Sequence, residues 1–207
     1  MAKSAEFTAA NGYIKIEHDF GYFLDVKKYK AITNHDDESI AILKLSLMLE
    51  NYLSILINNL RKEGTERFVK DGKYFAQKLE VSVALGLPVA LAEPIYLINK
   101  IRNKFAHHLD YEISDRDVEN IISLVSKIKV GDVNHYGYLD DEAIGHFFGG
   151  NIKIVDFVKE ILYTTSDKKK RVIRLVGVTF ILSNIAAFYL INEMHGRCIF
   201  KTTPAEG

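Results

Sequence analysis

Seventeen consecutive residues without a charge, Leu175–Ile191 (LVGVTFILSNIAAFYLI), set the strictest condition on how this chain can fold. The run is at the short edge of what spans a bilayer, and the basic tetrad Lys168–Arg171 precedes it. Two surroundings satisfy it, lipid or a shell of other apolar helices. Ser183 and Asn184 fall in its middle, and Arg174 and Glu193 stand close to its ends. These favour a helix buried on several faces inside a helical core.

The rest of the chain offers that shell. From Asp36 to Arg61, Ile42, Leu45, Leu49, Tyr52, Leu56 and Leu60 recur at steps of three and four, the mark of a long amphipathic helix, with acids in its first turn. Asp71–Gly72 breaks the chain before a second helix, KYFAQKLEVSVALG, which Gly86 stops. Pro94 suits the first turn of a third, PIYLINKIRNKFAHH, with Ile95, Ile98, Ile101 and Phe105 facing inward. Ser114–Asp117 (SDRD) reads as a capping-box variant opening VENIISLVSKIK, which Gly131 closes. Residues 132–150, rich in glycine and aromatics, form an irregular loop or short helical insert. IKIVDFVKEILY and the segment from Ser166 to Met194 supply two more helices, and YIKIE near the N-terminus is a short strand. The expected fold is all-α, a single-domain helical bundle of about five to seven helices.

Composition narrows the function. Lys+Arg and Asp+Glu both number 27, so no net field draws the chain to nucleic acid, and any such contact needs a local patch or an oligomeric groove. The single cysteine, Cys198, excludes an internal disulfide and a cysteine-rich metal site. The first residues lack the basic-then-apolar layout of a secretion signal, which is compatible with a cytoplasmic protein.

The sharpest chemical question lies in INKIRNKFAHHLDYEIS, Ile98–Ser114. Arg102 and His107 form R-x-x-x-x-H, with Asn103 beside the arginine and His108 beside the histidine. The plain reading is a solvated helix end, where histidines complement the helix dipole. The reactive reading uses the same residues for phosphate chemistry. On an ideal helix Arg102 and His107 lie roughly 140° apart, whereas Asn103 and His107 share a face. Convergence on one phosphate therefore requires that the helix end near Phe105 and His107 swing round, or that two chains each contribute.

With YFAQKLEVSVALGL upstream, the stretch INKIRNKFAHHL resembles the HEPN superfamily, helical bundles carrying R-x-x-x-x-H with a polar residue after the arginine. LGL…INKIRNKFAHH looks closest to the mannitol operon repressor-like branch. The likeness covers roughly Ile42 to Val125. It departs from the H-x-Y pattern of many HEPN toxins, since His108 and Leu109 follow His107 and a tyrosine arrives only at Tyr111.

The resemblance implies a HEPN-like helical domain over 36–196, with 1–35 as an extension packed on it and 197–207 as a flexible tail. It implies a metal-independent endoribonuclease, a toxin or anti-phage effector held in check by an antitoxin or other restraining protein. Its composite active site would lie at a homodimer interface. In that reading His107 is the acid–base group, because an unperturbed imidazole with a pKa of ~6.5 has both forms at hand near neutrality. Arg102 clamps phosphate with its planar fork, and Asn103 orients His107 or the phosphate. His108, Lys104 and Tyr111 are auxiliary RNA contacts. No cofactor or metal is implied. The alternative drawn from the mannitol repressor-like likeness is a non-catalytic regulator or scaffold acting through protein contacts.

Other constellations carry less. His135 and His146 near Asp140, Asp141 and Glu142 lack a metal-binding spacing. Tyr136, Tyr138, Phe147 and Phe148 either stack on unpaired bases or anchor the loop to the core. Lys168–Arg171 reads as the solvated start of a helix.

Overall fold

The computed structural model describes residues 23–35, 37–108, 110–137 and 166–199, and the backbone of 5–9, 12–16 and 202–203. Among the described residues the chain forms seven helices: α1 Val26–Thr33, α2 Glu38–Leu60, α3 Phe75–Ala84, α4 Val89–His107, α5 Asp115–Ser126, α6 Val130–Val133 and α7 Asp167–Gly196. The helical bundle expected from the pattern is therefore present. Strands β1 Ala5–Ala9, β2 Gly12–Ile16 and β3 Thr202–Thr203 pair antiparallel in the order β1-β2-β3, so β2 stands where YIKIE suggested a strand. The helix expected over 152–163, and residues 138–150 of the expected loop, lie outside the described residues.

α7 is the axis of the molecule. Val172, Leu175, Val176, Val178, Leu182, Ile185, Ala186, Tyr189 and Leu190 are buried along one broad face, and Phe180, Ile181, Asn184, Phe188 and Ile191 on the opposite face are half-buried. α2 and α7 are each long and apolar enough to cross a membrane by length and composition, and 56% and 72% of their most apolar stretches are buried inside the protein. Core helices share that property. α2 packs along α7 in the same direction: Glu38 meets Arg171 near one end, and the Tyr52 hydroxyl donates to the Ala186 carbonyl further along (3.0 Å). Every position of the predicted α2 stripe, from Ile42 to Leu60, is buried.

Segments expected to be peripheral enter this core. Phe23, Tyr29 and Ile32 are buried, and the Tyr29 hydroxyl donates to the Ser183 hydroxyl at 2.7 Å. That bond occupies a polar group in the middle of the uncharged run. Phe23 meets Tyr52 edge-on at 5.4 Å, and Tyr29 meets Phe180 at 4.9 Å. The last ten residues of the expected extension thus belong to the bundle.

Three local expectations need correction. α4 begins at Val89, so Pro94 lies inside it and is buried. The start signal is Pro88, whose carbonyl accepts from Leu91 and Ala92 N–H at 2.9 Å each, while burial of those two side chains repays the earlier start. Pro94 then removes the donor for the Ala90 carbonyl, a defect that the packing of α4 tolerates. α5 ends at Ser126, and Gly131 falls inside the short helix α6 rather than closing α5. Gly86 behaves as expected: at φ +115° it stops α3, and its carbonyl accepts from the Tyr189 hydroxyl at 2.6 Å.

The third correction concerns Lys168–Arg171. Arg171 is not a solvated residue, since its side chain is 12% exposed and its Nε donates to Glu38 Oε1 at 2.7 Å. Glu38 is 5% exposed, and its other oxygen accepts the Ile113 N–H at 3.0 Å. One carboxylate thus ties the starts of α2 and α7 to the connector between α4 and α5. Removing one member of such a pair strands the other charge in low dielectric. Arg171→Met is expected to lower stability by about 3 kcal/mol, and the double variant Glu38→Gln/Arg171→Met by less, because it leaves no unpaired charge. Urea unfolding midpoints of the four proteins in this cycle measure the difference.

Candidate functional site

α4 carries the motif on a helix that continues through His107, with His108 as its C-cap in extended geometry. His107 therefore does not swing round after Phe105. Of the two geometric routes in the sequence, the single-chain one is closed, and the separation of Arg102 and His107 around the helix stands.

The outward row of α4 is made by Val89, Glu93, Tyr96, Lys100, Asn103 and His107, at steps of three and four. All are exposed except Asn103, which is half-buried; His108 is also exposed. Arg102 lies off this row and is half-buried, but its Nη1 donates to Asn103 Oδ1 at 2.9 Å. The guanidinium is thus drawn towards the row that bears His107. Among the described residues no hydrogen bond links Asn103 to His107, so Asn103 positions the arginine and not the imidazole. Arg102, Asn103, His107 and His108 gather at the C-terminal end of α4, where cations complement the partial negative charge of the helix.

Lys104 and Tyr111 serve a different purpose. The Lys104 ammonium donates to the Tyr111 hydroxyl (3.2 Å), lies 3.5 Å from Asp117 Oδ1, and sits 5.0 Å from the centre of the Tyr111 ring. Tyr111 donates to Asp117 Oδ2 at 2.9 Å and meets Phe105 edge-on at 4.9 Å. Ser114, the N-cap of α5, donates to the same Asp117 oxygen at 2.8 Å and accepts the Asp117 N–H. These contacts lock the end of α4 onto the start of α5. In this state both auxiliary residues are engaged within the protein.

Two anchors therefore fix the connector that follows His107: this lock at Tyr111, and Glu38 at Ile113. Sequence reasoning found the Ser114 cap but neither anchor. Glu38 and Arg171 are 133 positions apart, and no local pattern signals such a pair. Tyr111 stood out as a departure from H-x-Y and as an auxiliary RNA contact, while its spacing to Asp117 across a helix start carried the real information.

The groove between α4 and α5, lined by Leu97, Lys100, Ile101, Lys104, Asp117 and Asn120, has a volume of about 140 Å³. That is well below the roughly 300 Å³ at which ligand pockets begin. Of the motif residues, His107 and His108 face solvent, while Arg102 and Asn103 are half-buried.

Among the described residues no group of three or more His, Cys, Asp or Glu side chains is placed to hold a metal ion. His135 Nδ1 lies 3.0 Å from Glu193 Oε1, and Asn134 accepts from Asn192 at 2.7 Å, so this part of the loop is moored to α7. Asp140, Asp141, Glu142, His146, Tyr138, Phe147 and Phe148 lie outside the described residues. Comparisons with protein-family models, with curated proteins and with solved structures return no match to this chain.

The lock makes a pH prediction. Burial tends to raise the Asp117 carboxyl, but hydrogen bonds from Ser114 and Tyr111 and the Lys104 charge outweigh it, and its pKa is held below the usual carboxylate range. A depressed folded value means stability that is present above the unfolded pKa of ~3.9 and lost as pH falls through the folded value. The groups are partly exposed, so the loss is screened to about 0.5–1 kcal/mol. Asp117→Asn is expected to destabilise modestly at pH 7 and to flatten the acid-side decline. Urea midpoints measured from pH 7 down to pH 3 test this, and parallel curves for the two proteins would exclude Asp117 as a source of acid sensitivity.

Proposed function

We propose that this chain is a metal-independent endoribonuclease of the HEPN type, working in the cytoplasm as a homodimer. The observation that supports the reading is the pairing of Arg102 with Asn103 beside the exposed row that ends in His107 and His108. A planar cation and an accessible imidazole both lie near one helix end, and among the described residues neither is engaged in an ion pair.

The reaction assigns each group a task. A base takes the proton from the ribose 2′-hydroxyl; the 2′-oxygen bonds to the adjacent phosphorus; the bond to the 5′-oxygen breaks, and an acid protonates the departing oxygen. The products are a 2′,3′-cyclic phosphate and a 5′-hydroxyl. His107 supplies acid–base chemistry, and Arg102 neutralises charge on the phosphate oxygens. With the helix unbroken through His107, a second copy supplies the missing half, so that two arginines and four histidines from two chains surround one linkage. Pairing also gives a protein of zero net charge the local positive field that RNA requires. A toxin or anti-phage effector held by a restraining partner is the biological setting that suits such an activity.

A second reading is a non-catalytic regulator acting through protein contacts. The observation that favours it is the exposed apolar row Ile40, Leu43 and Leu47 on α2, at 38, 43 and 49% exposure. The engagement of Lys104 and Tyr111 within the fold also agrees with it.

Incubation of RNA with the protein in EDTA separates the two. The nuclease reading expects cleavage by the parent and a loss of at least about a hundredfold in His107→Ala and Arg102→Ala, with the dimer intact by sedimentation. Co-expressed Arg102→Ala and His107→Ala chains are expected to regain part of the activity, since the mixed dimer keeps one Arg102 and one His107 around the shared linkage. Absence of cleavage by the parent protein would leave the regulator reading.

A further inference from the structure

The connector between α2 and α3, residues 61–74 (RKEGTERFVKDGKY), carries the two most exposed large hydrophobic side chains among the described residues. Phe68 is 79% exposed and Tyr74 68%. A phenylalanine this far into solvent is unusual.

Its surroundings are basic. Arg61, Lys62, Arg67, Lys70 and Lys73 stand against Glu63, Glu66 and Asp71. Two of the acids are already occupied: Glu66 accepts the Gly64 N–H at 3.1 Å, and Asp71 lies 3.8 Å from Lys78. Among the described residues Lys62, Lys70 and Lys73 make no ion pair, and all three are exposed. The Arg67 guanidinium sits 5.9 Å from the centre of the Phe68 ring. The result is an alternation of cation and aromatic along a short path.

The connector is also held in shape. Phe68 and Val69 N–H groups both donate to the Thr65 carbonyl at 2.8 Å, and Arg61 Nη1 donates to the Val69 carbonyl at 3.4 Å. Those bonds close the turn that projects Phe68 outward, so its exposure is a property of the fold and not of a loose strand of chain.

We infer that residues 61–74 are a docking platform for single-stranded nucleic acid, on which Phe68 and Tyr74 stack unpaired bases while Lys62, Arg67, Lys70 and Lys73 hold phosphates. Aromatics interleaved with cations match a strand of bases on a charged backbone, because stacking accepts any base and the cations track the phosphates. A protein partner would meet Phe68 with a cluster of apolar neighbours, whereas here the Arg67 guanidinium lies over its ring. The platform follows the far end of α2, whereas Glu38 at the near end binds the connector beyond His107. Lys78 pairs with both Asp71 and Glu50, so the end of the connector folds back beside the middle of α2, and the rise from Glu38 to Glu50 keeps it about 18 Å from the Glu38 end. The platform needs no contribution from the motif, and it provides the local patch that a chain without net charge requires.

Fluorescence anisotropy of the full chain tests this in EDTA and in a His107→Ala background, which prevents cleavage. The probes are labelled oligouridine, oligothymidine of the same length and an RNA duplex. Expected are preference for one or both single strands over the duplex, and a loss of at least about tenfold in single-strand affinity for Phe68→Ala/Tyr74→Ala. Phe68→Tyr/Tyr74→Phe is expected to bind like the parent, and Lys70→Gln/Lys73→Gln to reduce the salt slope by about 1.4. Because the rings lie largely in solvent, the thermal midpoint is expected to stay unchanged. No binding to either single strand, equal binding of the duplex, or a double alanine variant within twofold of the parent overturns the proposal. A chain that binds through the aromatic pair yet never cleaves RNA refutes the nuclease and keeps the platform; cleavage without dependence on the pair does the reverse.

Discussion

A helix with apolar residues all round has no outside, and α7 imposes that condition on every other element. Its apolar surface must be covered, so α2 lies along it, and α1, α5 and α6 also pack on it. Two polar groups within the uncharged run are satisfied by this cover. Ser183 takes a hydrogen bond from Tyr29, and the backbone at Ala186 takes one from Tyr52. Both donors are phenols whose rings fill space around α7 and whose hydroxyls satisfy it, which solves packing and polarity with one side chain.

This cover also explains the position of the motif. With α7 covered, α4 packs chiefly on α2 and α5, and one of its faces stays in solvent. That face holds Asn103 and His107, while Arg102 reaches it through a hydrogen bond. The connector leaving α4 is then pinned at Tyr111 and Ile113. The end of the helix is thereby held by contacts to α5 and α2, so the exposed histidines sit on a firm base.

The sequence was most legible where period and cap act locally. The α2 stripe, the Asp71–Gly72 break, the Gly86 stop and the Ser114 cap all correspond to features of the fold, because each depends on residues within one or two turns. Pro94 misled because two prolines six apart both offer a helix start, and burial of Leu91 and Ala92 decides for Pro88. Gly131 misled because a glycine can sit in a short helix as well as end a long one. Arg171 was illegible: within a run of four basic residues, nothing marks the one whose partner lies 133 positions away. For the motif, spacing revealed the angular problem but not the Arg102–Asn103 bond that narrows it. The exposed Phe68 was invisible for the opposite reason, since a phenylalanine in a sequence is assumed to be inside until burial is known.

The shared direction of α2 and α7 has a consequence for how the protein is made. Two parallel helices in contact cannot be joined by a tight turn, and here more than a hundred residues separate Leu60 from Asp167. On the ribosome α2 emerges long before the helix it must embrace. Until α7 arrives, Leu45, Leu49, Tyr52 and Leu56 have only part of their final cover, and the nascent chain presents a greasy furrow to whatever is nearby. Closure of that furrow is a late, all-or-none event drawing on contacts of long sequence separation, a topology that slows folding and invites chaperone attendance.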